Sequence, residues 1–518
     1  MNALEHLLGP AALSRHGART ALLCGAEAVS YAALAGRVAQ AAAALRALGV
    51  QRGERVLLLM RDTPEFAAAW LGALHAGAVA IALNTKLTEA EYRHVLADSG
   101  ARLALVEDLF AEARADLAAA QAADSALAIA GEASARLAAR WPGARDWRAA
   151  LAAAPASAGP ARVGAEDPAF WLYSSGTTGL PKGIVHAHRS VLPAGQDMRE
   201  ALGLAAGDTV LATSKLFFAY ALEHGLLGPL ATGAASVLIP DWPDAETVLA
   251  HVERHRPAAL FSVPTFYRRL LALGAGRLAP MRAVRRFVAA GERLPQALVE
   301  QWREATGGEI LSLYGMSETF CACMLTPPGS SNGARTGRPL AGVAAELRPA
   351  GGGTAGAGEV AVLWLRHPAL ALGYANRPEQ TAAQFQDGWF CTRDLFTRDA
   401  EGYFLHQGRS DELLKVAGQW VRPGELEEAV AAEGAVAEAA CVQVTDGDGF
   451  ERLALFVAAR GAEPEAVAAA GRACEGLPRH KRPKWIRALP ELPRTATGKV
   501  QRFKLRELLE KELRPPRG

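Results

Sequence analysis

Tyr173-Ser174-Ser175-Gly176-Thr177-Thr178-Gly179-Leu180-Pro181-Lys182-Gly183 is the stretch from which the rest of the chain can be read. Its eleven positions hold four small hydroxyl residues, three glycines and one lysine. Glycines free a backbone to turn its N–H groups toward an anion. Ser and Thr hydroxyls add donors without bulk, and Lys182 adds a positive charge for phosphate oxygens. Ser, Thr and Gly alone would describe a surface loop; the fixed order ending in Pro-Lys-Gly makes it a phosphate loop. It is not the GxxxxGK[ST] loop, because Lys182 is followed by Gly183. The apolar run Phe170-Trp171-Leu172 leads into it.

Around this loop the chain alternates strand-like and helix-like segments. Arg55–Met60, Ala78–Leu83 and Arg102–Val106 are aliphatic runs separated by helical Pro64–His75 and Thr88–Ser99, which predicts a largely parallel sheet covered by helices. Residues 111–168, rich in Ala, Pro and Gly, read as surface helices and loops. A second α/β run follows: strands Thr209–Thr213, Ala235–Ile239, Ala259–Val263, Arg286–Ala290 and Glu309–Tyr314, helices Ala245–His255 and Pro295–Thr306. Ligands of such sheets sit beyond the carboxyl ends of the strands. Ser262–Thr265, Ala290-Gly291-Glu292 and Tyr314–Glu318 are expected to face one crevice. Residues 336–408 look β-rich, and a compact α+β unit follows. The expected fold is α/β: an N-terminal domain, 1–408, of two α/β subdomains plus the β-rich one, and a small mobile domain, 409–518. A glycine pattern at Gly351, Gly353 and Gly356 has no strand before it or helix after it, and reads as a turn.

Bulk properties narrow the function. The chain has 518 residues, too many for one core. Half are apolar, 21% are charged and the net charge is +2, which argues against a nucleic-acid binder. The six cysteines form no CxxC pair, so neither a zinc site nor a disulfide framework is suggested. No apolar run reaches the roughly 18 residues that cross a bilayer, and the start lacks the order of a signal peptide. A cytoplasmic protein is expected.

The order YSSGTTGLPKG resembles the phosphate loop of the adenylate-forming superfamily, which includes acyl- and aryl-CoA synthetases, nonribosomal peptide adenylation domains and luciferase. The resemblance extends over nearly the whole chain after about residue 30. It implies that Ser174, Ser175, Gly176, Thr177, Thr178, Gly179 and Lys182 hold ATP phosphates. Tyr314-Gly315-Met316-Ser317-Glu318-Thr319 resembles the second nucleotide segment: Tyr314 on adenine, Thr319 at the α-phosphate, and Glu318, with Thr177, on Mg²⁺. Ala290-Gly291-Glu292 resembles the strand end that lies along adenine. Gly388–Asp394 resembles G-W-[FL]-x-T-x-D, with Asp394 on the ribose. Gly408-Arg409-Ser410-Asp411 resembles the hinge motif, with Arg409 on ribose or phosphates and Asp411 as pivot. Lys415 and Gly418 would line the thiol channel. Pro493–Lys499 resembles the C-terminal motif whose lysine, Lys499, serves adenylation together with Glu318 and Lys182.

Lys215-Leu216-Phe217-Phe218-Ala219-Tyr220 and Trp171-Leu172-Tyr173 resemble the benzoate-CoA ligase branch. Phe217, Phe218, Ala219, Tyr220, Gly315 and Cys321 would form the acyl pocket, where aromatic walls favour a flat ring. Two departures fall there. Phe320–Cys323 stands where that branch carries a histidine, and Ala221-Leu222-Glu223-His224 replaces Gly-Leu-Gly-Asn. His224 could bond a ring substituent or be structural. The resemblance thus implies an ATP-, Mg²⁺- and coenzyme A-dependent aryl-CoA ligase, with an aromatic acid, ATP and CoA as partners, no nucleic acid or membrane, and a homodimer as a further expectation. Substituted benzoates, heteroaryl acids and alicyclic acids stay open. Alternatives are a stand-alone enzyme loading a carrier-protein pantetheine, and a non-catalytic nucleotide- or acyl-binding protein.

Overall fold

The computed structural model describes residues 2–113, 126–139, 141, 143–155, 159–175, 180–349, 352–416, 419–446, 450–494 and 500–513, for Glu112, Ala113, Ser175, Lys415, Trp420 and Leu513 the backbone alone. Gly176, Thr177, Thr178, Gly179, Gly351, Gly418 and Lys499 lie outside the described residues. The chain divides into two compact units.

The first unit, Met1–Glu346, Trp364–Cys391 and Asp399–Leu405, holds two large sheets. In one, the strands run in the order Gly373–Tyr374, Pro181–Ala187, Pro168–Ser175, Val79–Ala82, Arg55–Leu59, Leu103–Glu107, Ala126–Ala130 and Arg145–Asp146. The six from Pro168–Ser175 onward pair in parallel, and the first two are antiparallel additions. Helices close each crossover with local signals. Thr63 caps Pro64–Ala76 through the Phe66 N–H, and Gly77 ends that helix at φ 78°. Thr88 and Glu91 form a capping box at the start of Glu89–Ser99. The helices Tyr31–Ala47 and Pro64–Ala76 meet at Gly72, where an added Cβ would stand 2.7 Å from Ala41 Cβ.

Ala126–Ala130 corrects the sequence reading of 111–168 as surface helices and loops. It is a strand whose last four residues are buried, paired with Leu103–Glu107. Its three alanines carry weak strand preference, and burial between neighbours decides the conformation instead.

Among the described residues the second sheet has nine strands, with Ile310–Tyr314, Arg286–Ala289, Ala259–Ser262, Thr209–Ala212, Ala235–Val237 and Thr20–Cys24 adjacent and parallel in that order. Three of its strands therefore finish side by side, at Ser262, Ala289 and Tyr314. The segments after the first two are tied together, because Thr265, in the first turn of the helix Pro264–Leu271, donates from N and Oγ1 to Glu292 Oε2 at 3.1 and 2.7 Å.

The second unit comprises Leu347–Leu363, Thr392–Arg398 and His406–Gly518. Its three-stranded sheet pairs Val436–Thr445 with Glu451–Ala459 and the latter with Trp485–Leu489. Glu451–Ala459 alternates strictly. Leu453, Leu455 and Val457 face a core shared with Val430 and Ala470, while Ala454, Phe456 and Ala458 face one shared with Leu505 and Leu509. The Lys/Arg/Glu-rich tail is the helix Arg502–Leu513 that covers this second face. No helix among the described residues is long and apolar enough to cross a membrane.

Candidate active site

The described parts of the phosphate-loop stretch belong to the two arms of a hairpin. Pro168–Ser175 and Pro181–Ala187 pair antiparallel, with Ser174 opposite Lys182 and Ser175 opposite Pro181. Tyr173 anchors the hairpin by donating from its hydroxyl to Asp98 Oδ2 at 2.8 Å. Gly183 sits in a tight place: a Cβ would come within 3.1 Å of the Trp171 ring and 3.2 Å of the Tyr173 ring. Ser174 Oγ is buried without a hydrogen-bond partner among the described residues.

Lys182 extends from this hairpin to Glu318, Nζ to Oε1 at 3.2 Å, with its ammonium 4.0 Å from the centre of the Tyr374 ring. The Tyr374 hydroxyl donates to the same Glu318 oxygen at 2.8 Å. Two further bonds fix the Glu318 backbone. His186 Nε2 lies 2.8 Å from Ser317 O, and the Ala371 N–H donates to Glu318 O at 2.8 Å. Burial holds His186 down at about 4, so at neutral pH it is uncharged and donates its Nε2 proton to that carbonyl. Lys182 and Glu318, 136 residues apart, are thus brought together. Tyr374 and His186 were missed. The only signal for either was its place in a strand beside the loop.

Of the other nucleotide-segment residues, Gly291 sits at φ 83° and Ala290 is buried at the end of its strand. Tyr314 and Gly315 are part-buried. Thr319 is fully buried. Its hydroxyl donates to carbonyls of its own turn and accepts from Cys323 Sγ at 3.1 Å, so it braces the segment from inside and presents no hydroxyl to a phosphate here.

In the second unit, Asp394 is buried beside Thr392, whose Oγ1 accepts the Asp394 N–H at 3.0 Å. Arg409 joins two carboxylates. Nη1 donates to Asp394 Oδ1 at 2.9 Å, while Nε and Nη2 take both oxygens of Asp411 at 2.8 and 2.9 Å. The ribose and hinge residues of the sequence reading are therefore one ion cluster.

The acyl-pocket segment begins with a buried ion pair. Lys215 Nζ lies 2.9 Å from Asp62 Oδ2 and donates to the carbonyls of Ile239, Pro240 and Asp241. Phe217 and Phe218 pack at 4.4 Å between centroids, Phe217 tilted against Trp242 and Phe218 edge-on to it. Tyr220 is pinned through its hydroxyl to Val288 O at 3.1 Å. An added Cβ on Gly315 would reach Cys321 O and Ala322 Cα at 3.6 Å, so Gly315 and Cys321 are neighbours.

His224 resolves as structural. It is fully buried, with Nε2 2.8 Å from Asp197 Oδ2 and Nδ1 2.9 Å from Tyr220 O. Glu223 beside it accepts the Ala322 N–H at 3.1 Å. Both ring nitrogens face acceptors, so neither is left for a ring substituent. Burial opposes the imidazolium, but the carboxylates of Glu223 and Asp197 outweigh it and raise His224 to about 9. Burial, partly offset by that imidazolium, pushes Glu223 up as well. Both groups bind protons more tightly folded than unfolded. Their stabilisation is full below the unfolded value and disappears as pH rises through the folded one. The contribution of the pair to melting temperature is expected to fall from pH 4.5, where Glu223 begins to weigh, to about 9, where His224 ends, and to be absent in Glu223→Gln/His224→Asn, whose slope is shallower. Equal slopes for the two proteins would refute the assignment.

A profile of the AMP-binding enzyme family matches residues 10–375, and one of the AMP-binding enzyme C-terminal domain matches 425–499. The 3-hydroxybenzoate–CoA/4-hydroxybenzoate–CoA ligase of Thauera aromatica is 38% identical, over 99% of this chain and 98% of its own length. The crystal structure of a benzoate CoA ligase from Burkholderia xenovorans LB400 superposes with TM-score 0.86 at 34% identity, covering 98% of this chain and 100% of that one. That of an anthranilate CoA ligase with anthranoyl-AMP gives 0.89 at 32%, covering 99% and 98%. The chain belongs to the AMP-binding enzyme family, in its aryl-CoA ligase branch, and is an acid–thiol ligase.

Proposed function

We propose that this enzyme activates a hydroxybenzoate-type acid with ATP, forming an acyl adenylate and pyrophosphate, and then transfers the acyl group to coenzyme A with release of AMP. The convergence of Lys182 and Glu318 beside the hairpin end carries the reading: a cation for phosphate and a carboxylate, held 3.2 Å apart. The named activity of the Thauera relative supports the acid class.

A carboxylate resists attack because resonance and charge protect its carbon, and a mixed anhydride with AMP supplies the leaving group. The work left to the protein is positioning and charge neutralisation. Lys182 and Lys499 would meet the phosphate charge, Ser174–Gly179 would cradle the phosphates, and Asp394 with Arg409 would take the ribose. Tyr314 and Ala290–Glu292 would flank adenine. The wall of Phe217, Phe218, Ala219, Tyr220, Gly315 and Cys321 would hold the ring. Glu318 suits Mg²⁺, since it offers a hard oxygen donor whose Oε2 takes no hydrogen bond from the described residues. With Thr177 it would hold the ion, which supplies further neutralisation of phosphate charge. Residues 409–518 would then turn about Asp411, withdrawing Lys499 and bringing in the Lys415–Gly418 side for the thiol.

The test is AMP release with CoA across hydroxylated benzoates, benzoate, alicyclic and short aliphatic acids. A hydroxybenzoate is expected to exceed acetate in kcat/KM by more than about 100-fold. A preference for aliphatic acids would overturn the acid class. Thioester formation on a holo-carrier protein but not on CoA would move the enzyme to the carrier-loading reading.

A further inference from the structure

We infer that Tyr374 is a positioning residue that sets both charged partners of the phosphate site at once. This rests on the reading of Lys182 and Glu318 given above. One aromatic side chain touches both. Its ring face covers the Lys182 ammonium at 4.0 Å, and its hydroxyl donates to Glu318 Oε1 at 2.8 Å. A cation over a ring and a neutral donor to a carboxylate are both favourable, and both orient the charge without cancelling it.

The tyrosine is itself fixed. The short strand Gly373–Tyr374 pairs antiparallel with the strand that carries Lys182, with Tyr374 opposite Ile184. The Tyr374 N–H donates to Thr381 Oγ1 at 3.0 Å, and Phe385 meets the ring edge-on at 5.5 Å. Gly373 has φ 144°, and a Cβ there would collide with Thr381 at 2.5 Å, so the approach to Tyr374 is closed to other residues. Tyr374 is 5% exposed, and its hydroxyl also lies 3.2 Å from Gln384 Oε1. With Oε1 of Glu318 engaged by Tyr374, the rotation of the carboxylate is set and the direction of Oε2 follows.

Tyr374→Phe keeps the ring over Lys182 and removes only the hydroxyl; Tyr374→Leu removes both contacts. Mn²⁺ binding in the presence of a non-hydrolysable ATP analogue, followed by electron paramagnetic resonance, reads the effect on Glu318 without turnover. Tyr374→Phe is expected to weaken Mn²⁺ binding about 10-fold, as loss of a bond to a metal-holding carboxylate commonly does. The Mg²⁺ concentration for half-maximal acid-dependent pyrophosphate exchange should rise in parallel, with a smaller change in kcat. Tyr374→Leu should in addition weaken metal-free binding of the analogue, which Tyr374→Phe should not. Circular dichroism and melting report whether each variant is folded, and Tyr374→Phe, being isosteric, is the deciding one. Wild-type Mn²⁺ affinity and Mg²⁺ dependence in folded Tyr374→Phe, with the wild type active in exchange, would overturn this inference alone. A wild type without exchange for any acid would overturn the functional reading and the inference with it.

Discussion

Lys499→Ala is expected to lower acid-dependent pyrophosphate exchange by about 100-fold or more, about 2.7 kcal/mol of barrier. It should retain much of the thioester-forming step when the acyl adenylate is supplied. The asymmetry follows from the chemistry of the two halves. Adenylation gathers negative charge around the α-phosphorus as the carboxylate attacks, and a lysine placed there acts in that transition state alone. In the second half a thiolate attacks a carbonyl, and the same ammonium would occupy the thiol's path. Lys499 is also the last residue of the C-terminal domain match. Separate assays of exchange and of CoA acylation from synthetic adenylate decide the matter, and equal losses in both would count against the role.

Lys215→Met should destabilise the folded protein by about 3 kcal/mol or more, the range found when one partner of a buried ion pair is removed. Lys215 is 2% exposed, and its ammonium holds three backbone carbonyls besides Asp62. Burial already pushes the Asp62 carboxyl up to about 6, against the pull of Lys215. Without the lysine, Asp62 would be left as an uncompensated buried acid whose remaining contacts are long bonds from the Leu216 N–H. Urea unfolding gives the number. The double variant Asp62→Asn/Lys215→Met should recover part of the loss, because no buried charge then lacks a partner. A loss below about 1 kcal/mol for the single change would place the pair among exchangeable surface contacts. The residue opens the Lys215–Tyr220 segment, so the same ion pair also fixes where the aromatic wall begins.

Much of this fold was legible where local chemistry and burial agree. The helix Ala245–His255 was placed to the residue, because Asp244 caps it and its apolar positions repeat at helical spacing. The strands that end at Ser262, Ala289 and Tyr314 are short, mostly apolar runs that each carry an aromatic residue, and they were found. Ala126–Ala130 was not, since alanine prefers helix and the pairing that makes it a strand is contributed by residues elsewhere. Thr20–Cys24 was overlooked for a related reason: its parallel partner, Ala235–Val237, lies more than 200 positions away. At the site, Lys182 and Glu318 stand in stretches with their own signatures. Tyr374 and His186 do not; they are recognised only when two strands and a turn are laid against one another. His224 shows the converse case. A lone histidine at an altered position leaves its role open, and only the facing Asp197 and Tyr220 carbonyl close the question.

Gly72 lets two alanine-rich helices come so near that an added methyl would lie 3.1 Å from the Ala42 backbone nitrogen. At this crossing small residues leave little room between the helices, and such a seam has no slack. A single methyl added at that glycine would wedge the two rods apart along their length. The most damaging change available there is also chemically the smallest. Attempts to harden this enzyme by raising helix preference should therefore leave that contact untouched.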